Sequence, residues 1–204
     1  MRIQWTKRTD DRSCVRLVEE GARVRPPIHL CCIIDASGSM NDDHKMRNVQ
    51  QSLHYFLDTL GDTDHISLIT FNSQVTRLIE QMICSSESKA AIRKNIDMMT
   101  AQGGTNLCEG LIQARNVLLP YSLTHKQGIM LLTDGHANVG HVLTDTILED
   151  VYRMLSSFPG TTISCIGYGT DHNGELLSRL SQMNGGAYYI VHRSTDIPVV
   201  FGDV

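Results

Sequence analysis

The sequence predicts a doubly wound α/β fold, with a mostly parallel central sheet, one antiparallel edge strand and helices on both faces. Three observations predict it. Apolar runs of strand length recur along the chain. Segments with apolar residues at helical spacing separate them. Most of the runs are apolar at successive positions, which requires cover on both faces. Strands alternating with helices imply parallel pairing through crossovers.

The elements follow in order. Ile28-His-Leu-Cys-Cys-Ile-Ile34 is the first continuous apolar run. Lys45 to Leu60 reads as a helix on Met46, Val49, Leu53, Phe56, Leu57 and Leu60, with Gly61 as its stop. His65 to Phe71 is the next strand, and Gln74 to Glu80 a short antiparallel partner turned at Asn72-Ser73. Ser88 to Met99 and Asn106 to Leu118 read as helices, with Pro120 just beyond the second. Gly128 to Thr133 is a strand, Asp145 to Phe158 a helix and Pro159-Gly160 a turn. Thr161 to Gly167, Gly174 to Met183 and Ala187 to Val191 complete the pattern as strand, helix and strand. Ile33, Ile34, Leu68, Ile69, Leu131, Leu132, Ile163 and Ile166 are the expected centre of the core, and the methionines, Met98 and Met99 included, are expected to pack in it.

Residues 1–27 differ in character, being rich in Arg, Asp and Lys, and form an expected N-terminal arm. Cys14 to Val18 is a candidate strand at the sheet margin, and Arg25-Pro26-Pro27 an extended link into the domain, which spans 28–204.

Composition bounds the function. At 204 residues the chain suits one well-buried domain. With 41% hydrophobic and 20% charged residues it has the balance of a soluble globular protein. A formal net charge of -4 gives no support for nucleic-acid binding. No apolar run is long enough to span a membrane, and Met1 to Lys7 lacks the apolar stretch of a secretion signal. The six cysteines include no Cys-x-x-Cys pair, which argues against a structural zinc site; they are read as reduced thiols, and the expected location is cytoplasmic.

Three separated segments converge on one place. Asp35-Ala-Ser37-Gly-Ser39 directly follows an apolar strand, Gly103-Gly104-Thr105 directly precedes a helix, and Thr133-Asp134-Gly135 directly follows another strand. In an open α/β sheet, ligands bind outside the carboxyl ends of the strands. The two carboxylates and three hydroxyls are hard oxygen donors. They suit Mg²⁺, with Mn²⁺ or Ca²⁺ as alternatives, rather than zinc or copper. Asp35, Ser37, Ser39, Thr105 and Asp134 are therefore the candidate metal residues.

These segments resemble the metal-ion-dependent adhesion site (MIDAS) of the von Willebrand factor A (vWA) domain family. Ile33-Ile-Asp35-Ala-Ser37-Gly-Ser39-Met40 resembles its first segment, Gly103-Gly-Thr105-Asn106 its second and Leu131-Leu-Thr-Asp134-Gly135 its third, and all five motif positions carry the family's residue types. The resemblance implies a Rossmann-like sheet. It implies that Ser37, Ser39 and often Thr105 touch the ion, while Asp35 and Asp134 act largely through water. Such an ion keeps an open position that an Asp or Glu of a protein partner fills. Family members serve in adhesion, ubiquitin-linked complexes, chelatase assemblies and other scaffolds. The closing Asp196 to Val204 resembles the opening of the last helix of intracellular members, which leaves a continuation beyond Val204 open.

Other readings of the same residues stay in view. Asp35 and Asp134 each fit a capping or turn residue. The ion could simply fasten three loops in a scaffold or assembly domain. A metal-dependent hydrolase has less support, since neither a Gly-x-Ser-x-Gly elbow nor a Walker-type loop occurs. No catalytic residue and no nucleotide are expected. Of the nine histidines, His136 and His141 are expected to face solvent, and His44 to lie near the metal face. Asp35 is expected to be dispensable for the fold.

Overall fold

A computed structural model describes residues 2–7, 13–18, 26–121, 125–156 and 160–197. Strands β1 (Arg2–Lys7) and β2 (Ser13–Val18) pair antiparallel as a two-stranded sheet of their own. The 13–18 strand therefore exists, but its partner is β1 and not the margin of the central sheet, a correction to the expectation.

The central sheet has six strands. These are β3 (Ile28–Asp35), β4 (His65–Phe71), β5 (Val75–Ile83), β6 (Lys126–Thr133), β7 (Thr162–Tyr168) and β8 (Tyr188–Val191), in the order β5-β4-β3-β6-β7-β8. Only β5 runs antiparallel. The chain builds outward from β3 to one side and then from β6 to the other. The β3/β6 boundary is thus the switch point, where the two crossovers leave in opposite directions and open a crevice.

Burial explains the apolar runs. The eight residues expected at the core's centre are at most 1% exposed. Alternate residues of one strand feed opposite layers. Cys32 and Ile34 pack with helix α1 (Lys45–Thr59) and helix α2 (Ser86–Asp97), against Val49, Leu53, Ile92 and Ile96. Cys31 and Ile33 pack on the other face with α3 (Leu107–Leu118), α4 (Thr144–Ser156) and α5 (Gly174–Gln182), against Leu111, Ile147 and Leu177. The adjacent cysteines thus serve two separate cores.

Element limits moved where local chemistry decided them. Ser85 caps α2 by accepting a hydrogen bond from Ser88 N, so the helix begins two residues before Ser88. β5 continues past Glu80 because Gln81, at φ 53°, forms a bulge that lets pairing resume at Met82. Met99 is buried as expected, but Met98 is 69% exposed, because the helix ends before it and turns it outward. The expected helix end at Phe158, the turn at Pro159 and the segment from Pro198 to Val204 lie outside the described residues. Among the described residues no helix is long and apolar enough to cross a membrane.

Candidate metal centre

Asp35 is the last residue of β3, and Thr133 the last of β6, with Asp134 next. The switch point therefore delivers both carboxylates to one crevice. Asp35 Oδ1 accepts from Ser37 N at 2.9 Å, which folds the chain back over the strand end, and Oδ2 accepts from Thr133 Oγ1. Thr133 Oγ1 in turn accepts from Gly135 N at 2.8 Å. One buried carboxylate thus ties the first motif segment to the third. The Asp35 side chain is fully buried and bridges two loops, a local structural role that the sequence reading does not assign to it.

Ser37 Oγ and Ser39 Oγ lie 3.2 Å apart, at the start of Gly38–His44, two short 3-10 turns joined by a kink at Asp42-Asp43. The second segment reaches them through backbone pairs. Gln102 N donates to Ala36 O at 2.7 Å, and Gly38 N donates to Gly103 O at 3.0 Å. Gly103, at φ 79°, makes a turn that favours glycine. Thr105 is held from the far side, where its N–H donates to Asn138 Oδ1 at 2.8 Å and its carbonyl accepts from Asn138 N and Val139 N at 3.1 Å. Asp35, Ser37, Thr105 and Asp134 are at most 1% exposed, and Ser39 is half-buried at the rim.

Burial pushes the Asp35 carboxyl up to about 6; hydrogen bonds from Ser37 and Thr133 partly oppose this, and the neighbouring Asp134 adds to it. Two buried neighbouring carboxylates are a setting that a divalent cation relieves. The donors within reach are all hard oxygens, so the residues fit such an ion.

One participant carried no sequence signal. Lys45, the first residue of α1, is buried, and its Nζ lies 3.3 Å from Asp134 Oδ2 and 3.0 Å from Asp171 Oδ1. Burial lowers its pKa, but Asp171 and Asp134 outweigh that and the net shift is upward, so it is a cation beside the crevice. Neither Lys45 nor Asp171 lies in a motif; the only hint was a lysine at the start of an apolar helix face. His44 is exposed beside this turn. His136 is exposed with its ring on Asp171 O, and His141 is exposed with its ring on Asp150.

A doubly wound sheet with one antiparallel edge, carrying hydroxyl and carboxylate loops at its switch point, defines the class of Rossmann-like domains that bind at the strand ends. The chain belongs to the von Willebrand factor type A domain family, whose profile matches residues 29–202. It is 28% identical over 180 residues to human inter-alpha-trypsin inhibitor heavy chain H2, covering 83% of this chain and 18% of that one. It is 31% identical over 168 residues to the uncharacterized protein YfbK of Escherichia coli K12, covering 80% of this chain and 28% of that protein. The chain thus spans well under half the length of these relatives. Among solved structures, a von Willebrand factor type A protein from Catenulispora acidiphila superposes with a TM-score of 0.75 at 22% identity, over 87% of this chain and 42% of that one. Proximal thread matrix protein 1 of the mussel byssus, in a form with zinc in its MIDAS motif, superposes with a TM-score of 0.69 at 22% identity, over 86% and 45%. In that protein the motif holds zinc. Domains of this family generally mediate protein–protein interactions.

Proposed function

We propose that this domain holds a divalent ion, Mg²⁺ before Mn²⁺ or Ca²⁺, on Asp35, Ser37, Ser39, Thr105 and Asp134. Through it the domain captures an Asp or Glu of a protein partner and catalyses no reaction. The observation that carries this reading is the meeting of the three loops at the β3/β6 switch point, with Asp35 bridging Ser37 and Thr133. With the hydroxyls of Ser37, Ser39 and Thr105 toward the ion and Asp35 and Asp134 acting largely through water, the ion would be short of negative charge. An outside carboxylate supplies that charge and, by fixing geometry, selects the partner. A cytoplasmic location belongs to the same proposal and is supported by five buried free thiols, at Cys31, Cys32, Cys84, Cys108 and Cys165.

The test joins metal and partner. Calorimetric titration with Mg²⁺ and Mn²⁺ should give one site in the wild type and none in Asp35→Asn, which keeps an acceptor for Ser37 N. Proteins captured from extract in Mg²⁺ should be lost in EDTA and with Asp35→Asn. Metal binding with capture indifferent to EDTA would reduce the ion to a loop fastener in a scaffold domain. Absence of metal binding at millimolar Mg²⁺ and Mn²⁺ would sink the reading.

A further inference from the structure

Away from the strand ends, three unlike donors meet in an open cleft of about 540 Å³ between α3 and α4. Cys108 sits in the first turn of α3 and is 6% exposed. His141 lies in the loop between β6 and α4, and Asp150 in the middle of α4, half-buried. One ligand atom from each residue lies within 4.8 Å of the other two. We propose that Cys108, His141 and Asp150 form a second metal site, selective for zinc, with its fourth position open to the cleft.

The donor set chooses the metal. A thiolate with an imidazole favours zinc over Mg²⁺ or Ca²⁺, and a carboxylate completes a common three-residue set. Tetrahedral bonds of ordinary length place zinc ligands roughly 3.3–3.5 Å apart, so side-chain rotations of about 1–1.5 Å, opening the His141–Asp150 contact and drawing Cys108 in, bring the three ligand atoms to those separations. The surroundings are arranged for this. His141 presents Nδ1 directly to Asp150 Oδ2, and Arg153 Nη1 stands 3.6 Å from the other oxygen, Oδ1, so ring and carboxylate already face each other and an entering ion would take the place of the proton between them. The loop bearing His141 is fixed against α3. Asn138 and Val139 are bonded to Thr105 O, and Gly140, at φ 70°, passes so close to the α3 cap that a Cβ there would meet Asn106 Oδ1 at 2.8 Å.

The position also has a consequence. An ion here would clamp the loop that follows Asp134 to the helix that follows Thr105, joining the backbones that bear two residues of the proposed MIDAS. Zinc at this site would stiffen that one's frame without sharing a ligand with it. The inference stands whether or not the MIDAS binds an ion.

Cobalt and zinc titration of the full chain tests it, in an Asp35→Asn background that disables the other site. Co²⁺ should bind at one equivalent with the near-ultraviolet absorption of a thiolate–cobalt bond, and Zn²⁺ should displace it. Adding Cys108→Ser should abolish the absorption, although the chain's other thiols remain. Cys108 is buried and its variant could fail to fold, so His141→Gln, at an exposed side chain, is the second arm. It should weaken zinc by more than the ~10–100-fold that loss of an outer-shell partner costs. Absence of the absorption at saturating Co²⁺ in the Asp35→Asn protein, its survival in folded Cys108→Ser, or unchanged zinc affinity in His141→Gln would each overturn the proposal.

Discussion

The Lys45 ammonium stands 3.3 Å from Asp134 Oδ2 with both side chains buried, so the carboxylate proposed to hold the ion already has a cation of its own. A buried charge left without its partner is costly, and a cation beside a metal site opposes the metal. Lys45→Met should therefore destabilise the metal-free domain by about 3–5 kcal/mol while tightening Mg²⁺ binding by about tenfold or more. Urea unfolding in EDTA and calorimetry with Mg²⁺ read the two effects separately. Parallel losses of stability and affinity would show that Lys45 only supports the fold.

pH should act in opposite senses at the two ends of β3. Asp35 has its folded pKa raised to about 6, so its stabilising contribution in the metal-free protein is present below about pH 4 and lost as pH rises through 6. The loss is on the order of 3 kcal/mol. A divalent ion competes with that proton, so the rise in Tm on adding Mg²⁺ should grow as pH climbs through 6. Burial, with His65 and His125 adding to it, lowers His29 to about 4. Its contribution is present above about pH 6.5 and lost as pH falls toward 4. Tm against pH in EDTA should lose its alkaline slope in Asp35→Asn and part of its acid slope in His29→Gln. Profiles unchanged in both variants would place the titrations elsewhere.

Gly104→Ala should separate binding from stability. A Cβ there would meet Val139 Cγ2 at 2.7 Å, Asn138 Oδ1 at 2.8 Å and Ser73 Oγ at 3.1 Å, so these side chains must shift to admit it. The shift would take Asn138 off Thr105 N, its partner at 2.8 Å. We expect a stability loss of about 1 kcal/mol or less, with Mg²⁺ affinity reduced about tenfold. Intact affinity would show that the Asn138 contact does not position Thr105.

Leu131→Ala tests the core. Leu131 is fully buried at the centre of β6, between Ile33 on β3 and Cys165 on β7. Its truncation should cost about 2–5 kcal/mol by denaturant unfolding, from lost transfer energy and the cavity left behind. A change within error would remove it from the core.

The sequence by itself determined the order of strands and helices in the central domain, its layers and the motif positions. Runs such as Ile28–Ile34 and Gly128–Thr133 are apolar at successive residues because both faces of those strands are covered, and that demand is written locally. The adjacency of Asp35 and Thr133-Asp134 to strand ends was legible for the same reason: strand limits are local, and the crevice follows from them. Tertiary structure decided the rest. Pairing of residues 13–18 with Arg2–Lys7 rather than with the central sheet depends on which edge a strand meets, and no periodicity records that. Lys45 reaches Asp134 and Asp171, and Cys108 meets His141 and Asp150, only because helices from different crossovers are laid on the same sheet. Such contacts join residues far apart in the chain. Each residue alone reads as an ordinary helix or loop position, and its chemistry arises only from the neighbours that packing supplies.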